Sequence, residues 1–189
     1  MAEKTPKEVI IVLLVVPIVL TLFIYYGTQE TLQGIAVRSG AETESEINYY
    51  STLLHFLAVF ILLFLIPALI TKLLIRKPLA AYGLSFGDAR FGIVFTAIVI
   101  PLLVLPLLYI GSRFGDVSQH YPLSYAAKET FRAFIIYEIA YALYYIGWEF
   151  FFRGFLIFGL KEHIGTFPAV LVSVIPSCIM HYAKPEIET

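Results

Sequence analysis

The sequence has few charged residues, and this scarcity limits the classes of protein to which it can belong. Asp, Glu, Lys and Arg make up only 14% of the 189 residues, about half the share that is usual in soluble domains. The net charge is −1 and no basic stripe is present, so nothing indicates nucleic acid as a partner. The single cysteine, Cys178, excludes an intramolecular disulfide. Hydrophobic residues reach 59%, which favours an integral membrane protein with the lipid bilayer as its surroundings.

The sequence contains five long apolar runs. Four of them contain no Asp, Glu, Lys or Arg, and each reaches or approaches the ~20 residues that a transmembrane helix needs. A fifth run is just as apolar but holds Glu138, Glu149 and Arg153. We therefore predict an all-α, polytopic transmembrane helix bundle that forms a single membrane domain over residues 1–189. Its five spans are expected near residues 9–29, 47–71, 91–112, 133–160 and 164–182.

The basic residues outside the spans predict the orientation of the chain. Six of them lie before the first span and between the second and the third, at Lys4, Lys7, Lys72, Arg76, Lys77 and Arg90, whereas Arg113, Lys128 and Arg132 lie between the third and the fourth. Because basic loops stay on the cytoplasmic side, we expect a cytoplasmic N-terminus and a location in the cell membrane. The sequence indicates no particular oligomeric state.

The fourth predicted span places an acid and a base on one helical face. Glu149 and Arg153 are four residues apart, and therefore lie one turn apart on the same side of a helix. Ionisable residues inside a membrane are costly and are functional by default. We expect the two to form an ion pair on a face that points into the protein or into a wet cavity. A structural alternative is an ion pair that only fixes the register of the helix.

His181, in the last predicted span, is expected at a depth similar to that of Glu149. Counted from the turn between the last two spans, the two residues lie about 16 and 20 Å from the same membrane side. A carboxylate and an imidazole on neighbouring antiparallel helices can share a water and activate it as a nucleophile. Such an arrangement is suitable for peptide hydrolysis inside a membrane.

Two stretches around these residues, WEFFFRGFLIFGL at 148–160 and SVIPSCIMHYAKPEIE at 173–188, resemble motifs of the CPBP family (CAAX protease and bacteriocin-processing, also called Abi). The type II CAAX prenyl endopeptidases belong to this family. LAAYGLSFGD at 79–88 is similar to the loop that these proteins carry before the third helix. The resemblance implies an intramembrane endopeptidase that acts on a membrane-bound or lipidated protein or peptide. It also implies Glu149 as general base, His181 as the group that orients the water or stabilises the tetrahedral intermediate, and Arg153 as the residue that tunes Glu149.

Three departures from the family motifs leave other functions open. Trp148 replaces the first acid of Glu-Glu-x-x-x-Arg, and Ser177 replaces the Phe of Phe-x-x-x-His. The third motif, His-x-x-x-Asn or Asp, is not found up to Thr189, so an extension of the chain would have to supply it. An alternative is therefore a catalytically inactive membrane scaffold or an immunity-type partner protein. A proton relay through Glu138 and Glu149 is disfavoured, because the spans show no internal repeat.

No cofactor is expected, and the remaining candidate side chains have structural interpretations. Zinc has been proposed for the family, yet only Glu149 and His181 could bind it here, and two ligands do not make a site. We interpret His55 as a core histidine, His163 as an interfacial residue and His120 as a solvent-facing loop residue. Cys178, three residues from His181, permits a thiol–imidazole dyad. We favour instead a small apolar residue that packs closely.

Overall fold

The computed structural model describes residues 6–113 and 122–181, and these are helical, without a strand among them. Within the described chain, six helices follow one another: α1 Lys7–Tyr26, α2 Gln29–Arg38, α3 Glu44–Ile75, α4 Ala89–Gly111, α5 Phe131–Ile164 and α6 Thr166–Ile179. By length and composition, α1, α3, α4 and α5 can each cross a membrane. The prediction of an all-α integral membrane protein is confirmed.

The fifth predicted span corresponds to a shorter helix. α6 has 14 residues, whereas a crossing takes ~20. The description ends at residue 181, so the last position of the predicted span 164–182 lies outside the described residues, as does the predicted loop histidine His120. α5 continues to Ile164, beyond its predicted end at 160. It is separated from α6 by Gly165, whose φ of +88° is a conformation that glycine adopts at little cost.

The chain divides into two compact units. The first consists of Met1–Leu84 and Ser124–Ser177, and the second of Ser85–Leu123 and Cys178–Thr189. α1, α2, α3, α5 and the greater part of α6 belong to the first unit, and α4 belongs to the second. The expectation of a single membrane domain stays a prediction.

In the first unit, α5 is the most deeply packed of the long helices. Buried residues make up 61% of its apolar window, compared with 28% in α3 and 22% in α1. Its fully buried side chains include Phe151, Phe152 and Phe155. Burial of an aromatic side chain of this size favours folding by about 1.5–3 kcal/mol. The helix that carries the charged pair is therefore also the one around which the unit is built.

α3 and α5 run parallel and approach closely at a glycine. The Tyr49 hydroxyl donates a hydrogen bond of 2.8 Å to the carbonyl of Ala133 near the start of both helices. Further along, a Cβ added at Gly147 would lie 3.0 Å from the carbonyl oxygen of Val59, so this position has no room for a larger residue. Between these points the interface is aromatic, with rings of α3 and α5 in contact at Phe56, Tyr137, Tyr141 and Tyr144.

Segments of π-helix interrupt three of the long helices. They are Ile61–Leu65 and Thr71–Ile75 in α3, Ile100–Val104 in α4 and Phe150–Leu156 in α5. Pro67 follows the first of them and Pro101 lies in the third, where a missing backbone donor accounts for the irregular turn. α5 contains no proline, and its π-helical segment begins directly after Glu149. Wider turns of this kind are frequent at functional sites.

Candidate functional site

Glu149 and Arg153 form the predicted ion pair. Arg153 Nε lies 3.5 Å from Glu149 Oε2, and the two side chains are 54% and 55% exposed. The residues around them on α5, such as Phe150 and Phe152, are buried. An ion pair that water can reach contributes at most about 1 kcal/mol to stability. Fixing the register of α5 is therefore a weak explanation for the pair, since the buried phenylalanines contribute much more.

The pair lines a groove of about 330 Å³ on the surface of the first unit. The groove lies between α5 and the loop that follows α3. Ile146, Phe150 and Phe158 form its α5 side, and Tyr82, Gly83 and Leu84 form its loop side. An apolar groove with few polar groups is the usual form of a ligand site. The pair thus lies beside a groove on the surface of the first unit, and the prediction that its face points into the protein or into a wet cavity stays a prediction.

Two glycines allow the loop to lie directly against α5. A Cβ at Gly154 would lie 2.9 Å from the carbonyl oxygen of Tyr82, and a Cβ at Gly83 would lie 3.1 Å from the ring of Phe158. Gly83 also ends the short 3-10 turn Leu79–Tyr82 with a φ of +82°. The ring of Tyr82 is buried and lies 6.0 Å from that of Phe155. Close backbone contact thus forms the second side of the groove.

The carboxylate of Glu8, near the start of α1, joins this loop to two helices. Its Oε1 accepts a 2.5 Å hydrogen bond from the Tyr82 hydroxyl. Its Oε2 accepts a 2.8 Å bond from Lys77 Nζ and lies 3.0 Å from His163 Nε2. Lys77 also lies 3.3 Å from Glu162. We refer to Glu8, Lys77, Tyr82, Glu162 and His163 as the Glu8 cluster.

The Glu8 cluster was not anticipated in the sequence analysis. A signal for it exists in the predicted topology, because the start of the first span and the ends of the second and fourth spans fall on the same membrane side. His163 lies in the cluster at the end of α5, and its expected place at the membrane interface stays a prediction. His55 agrees with its interpretation as a satisfied core histidine, since its Nδ1 lies 2.7 Å from the carbonyl oxygen of Gly27.

Two members of the Glu8 cluster have a higher pKa in the folded protein than in the unfolded chain. The hydrogen bond to Glu8 raises the pKa of Lys77. Burial, and then the hydrogen bond to Glu8, raises the pKa of the Tyr82 hydroxyl. Both shifts favour the protonated side chain, so the unfolded chain would release these protons at a lower pH than the folded chain.

We expect the protein to lose stability as the pH rises above about 10, where an unperturbed tyrosine or lysine begins to lose its proton. In that range the unfolded state binds fewer protons than the folded state, so the free energy of unfolding falls with pH. Thermal melting from about pH 8 to 11 measures the loss. The Tyr82→Phe variant lacks one of the two titrating groups, so its melting temperature should fall less over that pH range. Tyr125→Phe, which removes an exposed hydroxyl, serves as control, and equal losses in both variants would contradict the prediction.

His181 belongs to the second unit, whereas Glu149 and Arg153 belong to the first. Its backbone N–H donates a 3.0 Å hydrogen bond to the carbonyl of Cys178, in the turn after α6. Cys178 is exposed, so the close packing expected of it is not found. A water shared by Glu149 and His181 stays a prediction.

A buried serine sets the register of α6 against α5. The Ser173 hydroxyl donates a 2.7 Å hydrogen bond to the carbonyl of Phe152, within the π-helical segment. Only Gly165 separates the two helices, and Ser173 contacts Phe152, thirteen residues before that glycine, so α6 folds back along α5. Within the first unit, this bond places the residues near Pro176 at about the level of Glu149.

Other polar side chains of α5 are exposed or half-buried. Glu138 is exposed, and the hydroxyls of Tyr141 and Tyr145 are 3.0 Å apart. Over residues 6–113 and 122–181, no three His, Cys, Asp or Glu side chains come together as metal ligands. The zinc that the family resemblance raises therefore finds no fitting ligand set in that part of the chain.

Comparison of the chain with protein-family models, with curated proteins and with solved structures gives no match. The resemblance to the CPBP family accordingly rests on its motifs. These comprise Glu149 and Arg153 of the first motif, His181 of the second, and the loop at residues 79–88.

Proposed function

We propose that the protein is an intramembrane endopeptidase of the CPBP type, which hydrolyses a peptide bond in a membrane-associated or lipidated substrate. The observation that carries this proposal is the Glu149–Arg153 pair on the edge of an apolar groove. The groove can receive an apolar part of a substrate, while the carboxylate is available to a water. We further propose a location in the cell membrane with a cytoplasmic N-terminus, so that substrates arrive from the cytoplasmic side.

The proposed mechanism uses Glu149 as the general base. Its carboxylate takes a proton from a water while the water oxygen bonds to the carbonyl carbon of the substrate. The tetrahedral intermediate then breaks its C–N bond, and the proton passes to the leaving amine. Arg153 balances the charge of Glu149 and fixes its position. His181 orients the water or stabilises the oxyanion.

The position of Glu149 along α5 supports hydrolysis within the bilayer. α5 has 34 residues and is therefore about 50 Å long, with Glu149 near its midpoint. A charge facing lipid at that depth costs at least about 2.5–3.5 kcal/mol. We propose that water reaches both charges through the groove beside the pair, which would remove much of this cost.

A second function, that of a non-catalytic scaffold or immunity-type partner, is favoured by Trp148. Trp148 occupies the position of the first acid of the family motif, and its side chain is only 6% exposed. Its ring stacks on Tyr144 at 5.9 Å and meets the ring of Phe152 at 4.8 Å. Among the described residues that line the groove, Glu149 is then the sole carboxylate.

Hydrolysis in heavy-oxygen water separates the two functions. The protein is reconstituted in lipid nanodiscs with a set of peptides that each contain one hydrophobic span, half of them with a lipid at the C-terminus. We expect mass spectrometry to find shortened peptides whose new carboxyl terminus carries one heavy oxygen. The control is the same preparation from membranes that lack the protein. Peptides that stay intact but bind to the nanodiscs only when the protein is present would support the scaffold instead.

A further inference from the structure

We propose that Glu8 is a positioning residue that holds the loop at residues 79–84 in place as one side of the groove. The attachment of the loop is a property of the fold. Its importance for a substrate that enters the groove rests on the proposed function. Glu8 lies on α1, far in the sequence from Glu149, and touches neither Glu149 nor Arg153 in the contacts described. It acts through Tyr82.

The path from Glu8 to the groove passes through Tyr82. The Tyr82 hydroxyl donates to Glu8 Oε1 at 2.5 Å. The carbonyl oxygen of Tyr82 faces Gly154 of α5, and the following residues Gly83 and Leu84 line the groove. A hydrogen bond to a carboxylate is about twice as strong as a bond between neutral groups. A change at Glu8 is therefore transmitted to the loop side of the groove through one residue.

A carboxylate at position 8 suits these contacts better than any other side chain. Three polar groups converge on it, namely the Tyr82 hydroxyl, Lys77 Nζ and His163 Nε2. The two oxygens of a carboxylate offer about four acceptor positions, whereas an amide offers one oxygen and two further donors.

An acid in the first turn of a helix is favourable in any protein because of the helix dipole. That effect does not require burial, and yet the side chain of Glu8 is only 11% exposed. A buried charge without partners is costly. The burial of Glu8 is therefore explained by its partners and not by its place at the start of α1.

In the part of the chain that the structure describes, the backbone hydrogen bonds of residues 79–84 do not reach the helices. Gly83 N–H donates to Ala80 at 3.2 Å, and Leu84 N–H donates to Leu79 at 3.2 Å, so both bonds stay within the loop. Packing at Gly154 limits how close the loop can come to α5. The bond between Tyr82 and Glu8 limits how far it can move away.

Hydrogen exchange of the full chain in nanodiscs tests this role. The Tyr82→Phe variant keeps the ring and removes the hydroxyl, and Glu8→Ala removes the acceptor. In both we expect the amides of residues 79–84 to exchange about tenfold faster or more, as loss of a hydrogen bond to a charged group implies. The matched control is Glu162→Gln, which removes the other acidic partner of Lys77 without touching Tyr82 and should leave the loop unchanged. Exchange in α2 should be the same in every variant.

Two further variants separate positioning from a general loss of stability. Glu8→Gln keeps an oxygen for the Tyr82 hydroxyl and should restore most of the protection lost in Glu8→Ala. The double change Glu8→Ala with Tyr82→Phe should raise loop exchange no more than either single change, because both remove the same bond. Loop exchange equal to that of the parent in both single variants, or faster exchange along the whole chain, would overturn the proposal.

The test does not depend on catalysis, since exchange is measured without substrate. Faster loop exchange in the variants, together with no peptide hydrolysis by the parent protein, would leave the role of Glu8 intact and remove the proposed function. Hydrolysis by the parent together with unchanged loop exchange in the variants would support the proposed function and overturn the role of Glu8.

Discussion

Replacement of Glu149 by glutamine is expected to lower the rate of peptide hydrolysis in nanodiscs by at least about 100-fold, the usual contribution of a general base. The amide has the shape of the carboxylate but cannot take a proton from water. Because the Glu149 side chain is 55% exposed, the substitution disturbs no packed core. We therefore expect the melting temperature of the variant to equal that of the parent.

Glu138 provides the matched control for this substitution. It is exposed on the same helix, eleven residues before Glu149, and does not line the groove. Glu138→Gln should hydrolyse the same peptides at the rate of the parent. Hydrolysis that persists in Glu149→Gln would rule out this residue as the base. A loss in both variants with normal folding would indicate a proton path along α5.

The long helices could be predicted because the signal of a membrane span is strong in any sequence. A helix that crosses lipid must be long and nearly free of charge, and these two properties alone locate α1, α3, α4 and α5. The beginning of α3 was predicted three residues too late. Thr43 and Glu46 form a capping box there, and the pattern Thr-x-x-Glu before an apolar run is visible in the sequence.

The arrangement of side chains around α5 could be predicted only in part. A period of 3.6 residues places Glu149 and Arg153 together, and the ion pair confirms this. The same period does not predict that Phe150, Phe151 and Phe152 are all buried. The π-helical segment widens the turn after Glu149 and so changes which positions share a face.

The Glu8 cluster could not be predicted from any local pattern. The hydrogen bonds of Glu8 join it to residues that are 69, 74 and 155 positions away. The alternation of the spans brings Glu8, Lys77 and His163 to one end of the bundle, but several charged residues share that end. The choice among them depends on the path of the loop after α3, which glycines at positions 83 and 154 make possible.

The Trp148→Glu substitution, which introduces the acidic pair of the family motif, is expected to lower the free energy of unfolding by about 4 kcal/mol or more. Truncation of a buried tryptophan alone costs about 3–5 kcal/mol, and burying a carboxylate in the same place adds the cost of its desolvation. Trp148 is almost fully buried between Tyr144 and Phe152, so the new acid would not reach the groove. Unfolding by denaturant in detergent measures the loss.

Trp148→Phe is the control, because it keeps an aromatic ring against Tyr144 and Phe152. It should lose less than half as much stability and keep the hydrolysis rate of the parent. An acid variant that is as stable as this control and hydrolyses peptides faster would contradict the prediction. That result would mean that position 148 turns towards the groove and that a second carboxylate can join Glu149 there. The expected loss of stability means instead that this chain uses the first position of the motif for its core, so that Glu149 is the acid of this motif that remains for the proposed general base.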